Sequence, residues 1–504
     1  MNATARRLIH VVERWLLLPG LIAGAIVGVA CVQHDPFFWD TVQLGSKHAH
    51  FFYENGLHWA PLPREIDSGH PPTLGYYLAW VWSVFGRSLP VSHWAMLPFV
   101  VGTVILLFRL GTCIGGKRWE GAGLVLLAAA DPVLATQSSL VGPDIVLSCF
   151  FLLAVWALWT TRLGWAAIGV AGLCVVSLRG MMVAVALLAW QVYLLQRREA
   201  FICRQLLEPA GKPAEVEHPT LPRRLCQWLG SFCPLIAVFA PGFALAGGFL
   251  LWHHQAVGWT GFHAASPWAP AFEPVRGTGL LRNVAILGWR WADFGRIFEW
   301  IGLIILFFAL FKNRRALAGQ PWLSLLSCTS LFLSPSAILY QNLSAHRYFL
   351  PIFLALHLFF WYCLKAVPCS EAKRLVLTGA VMIGLACGNL WIYPHGIAIG
   401  WDATLAHRPY HTLRAQALHF IEKNALPLAQ IGTAFPNRNA GKHLLLNCDE
   451  RMWAEFDPRT NKYCLISNVF NDVSPEDRTY LRQHKRLMWS AQKGGVWMEL
   501  YGPK

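Results

Sequence analysis

The chain alternates between long, nearly uncharged apolar runs and short polar breaks, and that alternation constrains its fold more than any other feature. A helix rising 1.5 Å per residue needs roughly 20 apolar residues to cross about 30 Å of hydrocarbon. Runs near that length cover 15–31, 94–111, 121–137, 144–160, 164–178, 181–195, 229–252, 297–311, 320–339, 348–364 and 375–393, which predicts about eleven crossings. Only 14% of residues are charged and 55% are apolar, whereas a soluble domain is about a quarter charged. The expected fold is an all-α polytopic membrane domain.

The formal charge of +15 raises nucleic acid as a partner, but the basic residues sit in short clusters between apolar runs, the pattern of a topology signal. Nucleic-acid binding is set aside on that ground. Arg6, Arg7 and Arg14 precede the first run in the charge order of a signal peptide. No small-residue cleavage site leads into a soluble body, so an uncleaved first helix is expected. With the N-terminus cytoplasmic, the same side receives Lys117-Arg118, Arg162, Arg197-Arg198 with Arg223-Arg224, Lys312 with Arg314-Arg315, and Lys373-Arg374. The alternation holds only if Thr73 to Phe85, too short to span, lies in the interface as a juxtamembrane helix.

The outer side then receives the loop 32–93, the turns at Gln137–Asp144, Arg179-Gly180 and Tyr340–Arg347, the loop 253–296 and the C-terminus. The polar segment 199–224 reads as a cytoplasmic loop. Composition becomes mixed beyond Pro394, so two domains are predicted: residues 1–393 in the membrane and 394–504 as a small α+β unit, with strand-like 442–446 and 463–467 and a helix-like 409–424. No internal repeat is visible. Most of the thirteen cysteines lie in apolar runs, where a thiol is a small hydrophobe. Cys448 and Cys464 stand apart in the polar tail, and a disulfide between them is expected if the outer compartment is oxidising. No metal-type cysteine spacing occurs.

Two polar signatures fall on the first outer loop: Phe38-Trp39-Asp40-Thr41 and Gly69-His70-Pro71-Pro72-Thr73-Leu74-Gly75. Asp40 there can act as a general base, bind an amine or a metal, or simply cap a helix over 42–53. His70 precedes two prolines that suit a first helical turn, where free amides favour a phosphate; a capping turn with a solvated histidine is the plainer alternative. Asp144 opens a helix, a position the dipole alone favours. Arg179 interrupts an apolar stretch and Arg347 sits at another outer boundary, in Ala345-His346-Arg347-Tyr348. Each arginine either grips a phosphate bidentately or snorkels to lipid headgroups. The stretch Tyr393-Pro394-His395-Gly396 with Gly400-Trp401-Asp402-Ala403-Thr404 lines an acceptor site or packs a domain junction.

In order and spacing these motifs resemble the GT-C superfamily of membrane glycosyltransferases, in particular its protein O-mannosyltransferase and aminoarabinose-transferase-like group. Trp39-Asp40-Thr41 looks like the family's acidic pair with Thr41 in place of Glu, and His70–Gly75 looks like its His-Pro-Pro-Leu-Gly motif with Thr73 added. Ser138–Asp144 has the spacing of the Ser-Arg-x-x-x-x-Asp run with Ser139 for Arg. Arg179-Gly180 matches a Lys-Gly turn, and Arg347-Tyr348-Phe349-Leu350-Pro351 an Arg-Tyr-x-x-Pro run. The resemblance spans roughly 15–365 and does not reach the tail.

What it implies is an inverting transfer of a sugar from a polyprenyl-phosphate donor to a lipid, glycan or protein acceptor, on the outer face of a bacterial inner membrane and among membrane lipids. Asp40 would be the catalytic base, His70, Arg179 and Arg347 would hold the donor phosphate, and Asp144 would orient a substrate. Preorganised cations and amides can carry the leaving-group charge, so no cofactor is required; other branches of the superfamily use a divalent metal, which stays open. A transporter or flippase of lipid-linked sugars, or a non-catalytic membrane assembly protein, remains an alternative, although the repeat symmetry or broken helices of a transporter are missing from the sequence.

Overall fold

The computed structural model describes residues 15–207, 221–266, 269–310, 320–394 and 400–504. Arg6, Arg7, Arg14, Lys312, Arg314 and Arg315, on which part of the expected orientation rests, lie outside the described residues, as do 208–220 and His395-Gly396. Each apolar run falls on helix: Leu17–Val32, Leu89–Gly115, Arg118–Ala130 with Pro132–Ser139, Pro143–Trp159, Leu163–Val176, Leu178–Leu207, Leu221–Val257, Arg296–Leu310, Pro321–Leu339, Leu350–Ala366 and Glu371–Cys387. Among the described residues six helices are long and apolar enough to cross a membrane, or seven if the bent pair 118–139 counts as one span. This is a multi-pass membrane protein. Leu17–Val32, Pro143–Trp159 and Leu163–Val176 are shorter apolar helices. The expected polar loop at 199–224 is corrected at both ends, because helix continues through Leu207 and resumes at Leu221.

Local chemistry explains the breaks that matter. Arg118–Ala130 and Pro132–Ser139 meet at 81° because Pro132 cannot donate to the preceding turn and Asp131 caps the new helix, accepting from the Val133 and Leu134 amides at 2.8 and 3.3 Å. The same carboxylate takes the Arg296 guanidinium at 2.9 Å, with both side chains fully buried. His357 adds Glu299 at 2.9 Å, so the Leu350–Ala366 helix is tied to its neighbours by ionised groups where lipid would penalise any left single. At the far end of that helix Lys365 meets Glu120 at 2.5 Å.

Thr73–Phe85 is helical as expected. Its Gly75 packs directly on the His48–Glu54 helix, where a Cβ would overlap that of His48. The tail is α+β. Strands β1 (Ile431–Thr433), β2 (Ala454–Glu455), β3 (Tyr463–Ser467), β4 (Arg486–Lys493) and β5 (Val496–Gly502) form one sheet in the order β2-β1-β3-β5-β4. The β1 pairings are parallel and the other two antiparallel. Pro409–Lys423 lays Leu413, Ala417 and Ile421 on it. Strand-like 442–446 is corrected: Gly441–Leu444 is one helical turn, closed by the Leu445 amide on the Gly441 carbonyl at 2.7 Å. The expected Cys448–Cys464 disulfide is also corrected. Both are free thiols, Cys448 exposed and Cys464 buried within β3; burial pushes the Cys464 thiol up to about 11.

Candidate active site

The loop carrying Asp40 is shaped by its own neighbours. Thr41 Oγ1 accepts from the Phe38 amide at 3.0 Å and donates to the Phe38 carbonyl at 2.7 Å, closing a turn in which Trp39 takes a left-handed φ of 58°. Thr41, the residue that departs from the resembled acidic pair, thus aims Asp40. The aromatic residues beside it are seated in the tail's own core: Phe38 stacks on His407 at 4.6 Å and Trp39 meets Phe435 edge-on at 4.9 Å. Among the described residues the Asp40 side chain caps no helix; its carboxylate pairs with Arg347.

Arg347 lies in a 3-10 turn, His346–Phe349, just before the Leu350–Ala366 helix. His346 anchors that turn through Nε2 to Asp293 at 2.8 Å. The Arg347 guanidinium sits among three carboxylates: Nη2 on Asp40, Nη1 on Asp402 and Nε 3.6 Å from Asp144. Asp144, in the first turn of Pro143–Trp159, is also bound by Arg179, the second residue of Leu178–Leu207. Arg179 lies 4.1 Å over the Tyr348 ring. Gly180 allows this helix to start so close to its predecessor, because a Cβ there would overlap the Leu173 carbonyl.

His70 approaches from the first loop. Its Nδ1 accepts from the Leu178 amide at 3.3 Å, which leaves the ring proton on Nε2. Burial, reinforced by the Arg179 charge, pushes His70 down to about 3. It is therefore a neutral hydrogen-bond donor rather than a third cation.

All five expected site residues come together: Asp40, His70, Asp144, Arg179 and Arg347. Asp40, His70, Arg179, Arg347 and Tyr348 face one cavity of about 490 Å³, and Asp144 supports both arginines from behind. The remaining wall is largely apolar, with Met182, Phe262, Phe272, Leu333, Leu339 and Leu343. Two members were not singled out from the sequence, although one lies in the Gly400–Thr404 stretch for which an acceptor site was one alternative. Tyr348 carries no signal beyond its place in the Arg347 motif. Asp402, 4% exposed, sits in a turn whose backbone carbonyl accepts from Gln137 Nε2 at 2.8 Å. The Gly400–Thr404 stretch is thus a packed junction that also supplies a site carboxylate. Among the described residues no group of three or more His, Cys, Asp or Glu side chains is arranged to hold a metal ion.

No family model and no curated protein matches the chain. Among solved structures it is similar to ArnT. That crystal structure, from Cupriavidus metallidurans in the apo state, shares 14% identity over 95% of this chain and 97% of its own, with a TM-score of 0.45. Identity this low leaves the chemistry to be read from the side chains themselves.

Proposed function

We propose that the protein is a membrane glycosyltransferase that takes a sugar from a polyprenyl-phosphate donor and passes it, with inversion, to an acceptor hydroxyl. The observation that carries this reading is one cavity whose lining combines Asp40, Arg179, Arg347 and His70 with a mostly apolar remainder. A phosphate monoester or diester with an isoprenoid tail has the same division. Two guanidiniums and a neutral imidazole N–H suit the phosphate, and the aliphatic and phenyl walls suit the tail.

The charges in the site suggest an order of events. Three carboxylates, Asp40, Asp144 and Asp402, face two guanidiniums, so an arriving phosphate competes with a carboxylate for Arg347. If Nη2 passes from Asp40 to the phosphate while Nη1 stays on Asp402, Asp40 is released as the donor arrives. The acceptor oxygen then attacks the anomeric carbon, its proton goes to Asp40, and the carbon–oxygen bond to phosphate breaks with the electron pair leaving on the phosphate. Arg347, Arg179 and the His70 N–H stabilise that charge in a preorganised setting.

The face is part of the proposal. Arg347 lies just before, and Lys365 near the end of, the Leu350–Ala366 helix, whose 17 residues span about 26 Å, and the basic clusters of the sequence favour the Lys365 end as cytoplasmic. The test is transfer by purified protein from radiolabelled polyprenyl-phosphate sugars, with wild type beside Asp40→Asn. A loss of at least about a hundredfold with unchanged folding is expected for a general base. Unchanged transfer removes Asp40 from the mechanism, and absence of transfer from every donor in wild type favours the transporter or assembly alternatives.

A further inference from the structure

Beside the donor cavity lies a second one of about 450 Å³, framed by residues 62–67 and 257–264. The two share the Phe262 side chain, and adjacent residues of one strand of backbone divide between them: Asp67 lines the second, Ser68 the first. The two framing segments are held tightly together. Gly69, at φ 72°, passes so close to Gly261 that a Cβ would overlap the Gly261 carbonyl.

The lining differs in kind from that of the donor cavity. Asp67 is 3% exposed; one oxygen accepts from the Gly69 amide at 2.8 Å and the other meets His253 Nε2 at 2.9 Å. A carboxylate has about four acceptor positions, so roughly two remain. His263 is 7% exposed, and its Nε2 faces the Arg64 carbonyl at 3.3 Å. A carbonyl can only accept, so Nε2 carries the proton and Nδ1 is an acceptor. That buried Nδ1 has no partner among the described residues. Arg64 is exposed, and no contact of its guanidinium is seen among the described residues. The Trp259 indole forms the apolar part, held against His253 and His263 at ring distances of 4.6 and 4.8 Å.

The geometry points to a saccharide subsite here, in which the acceptor's sugar lies against Trp259 with its hydroxyls on Asp67, His263 and Arg64, beside the donor cavity. Each hydroxyl both donates and accepts, which matches a wall offering acceptors on Asp67 and His263 and donors on Arg64. The volume lies within the range of about 300–1,000 Å³ usual for small-ligand sites. The assignment rests on the glycosyl-transfer reading for its role, and it narrows the acceptor to a carbohydrate.

The test uses the full chain in lipid nanodiscs, with glucose, mannose and N-acetylglucosamine as probes in saturation-transfer NMR, with and without saturating undecaprenyl phosphate. Saturation transfer to the ring protons of at least one sugar is expected, undiminished by undecaprenyl phosphate. Its affinity should fall about tenfold or more in Trp259→Leu or in Arg64→Ala, the second being an exposed change that leaves packing intact. No transfer to any of the three sugars, displacement by undecaprenyl phosphate, or affinity unchanged in both variants overturns the assignment. Sugar binding that behaves as expected in a protein without transferase activity sinks the glycosyl-transfer reading alone.

Discussion

Replacing Arg347 by methionine removes the one cation that three acids share. Side-chain exposure is 7% for Arg347, 5% for Asp402, 7% for Asp144 and 20% for Asp40, so the charges left behind cannot all recover their hydration. Breaking a single buried ion pair costs about 3–5 kcal/mol, mostly because the abandoned partner stays desolvated. Arg179 still neutralises Asp144, which leaves Asp402 as the most costly orphan and Asp40, the more exposed, as a smaller one. A loss of about 3–5 kcal/mol is therefore expected for Arg347→Met. The informative measurement adds Asp402→Asn. In the native background that change breaks a pair and destabilises; in the Arg347→Met background it removes the orphan and stabilises, with a coupling of about 1–3 kcal/mol. Denaturant unfolding of the four proteins in one detergent, followed by tryptophan fluorescence, gives the cycle. A loss below about 1 kcal/mol for Arg347→Met, or additive effects, would refute the shared-cation reasoning.

Two more measurements bear on regions away from that cluster. His48 and His407 are each 1% exposed, and burial pushes each down to about 4. Because the unfolded chain takes up these protons first, stability is complete above about pH 6.5 and declines toward pH 4, by about 1.4 kcal/mol per pH unit for each group; His407→Gln should remove its share of the slope, and an unchanged slope would refute its buried neutral state. In the tail, maleimide should label Cys448 in native protein and Cys464 only after unfolding, as judged by mass spectrometry of tryptic peptides. Protection of both until a reductant is added would restore the disulfide.

Much of the membrane domain was legible because lipid imposes a length and a composition on each crossing, and among the described residues the apolar runs fall on helices, one of them broken in two at Asp131. The candidate residues that the fold gathers were legible for a related reason: Asp40, His70, Asp144, Arg179 and Arg347 are ionisable groups at the ends of apolar segments, where charge needs a purpose. Their partners were not. Nothing near Asp402 in sequence says that it reaches Arg347, because the pairing is made by the fold between residues 55 positions apart. The buried ties among Asp131, Arg296, Glu299 and His357 were hidden because the partners lie on three different helices, with only Arg296 and Glu299 sharing one, and are readable only beside each other. In the tail, the short β-prone run of 463–467 revealed β3, whereas 442–446 has strand-like composition but supplies its hydrogen bonds within one helical turn. The cysteines suggested a bridge on polarity alone, and the side chain of Cys464 is committed to the sheet's interior.

The seat of Phe38 and Trp39 in the tail's core has a consequence for how the protein comes into being. The aspartate is translated more than 360 residues ahead of the acid opposite it and of the platform beneath it. A ribosome must therefore add all of that chain before the cleft acquires its working shape. Until then the aspartate, already delivered to the bilayer surface, has neither its seat nor its counterpart.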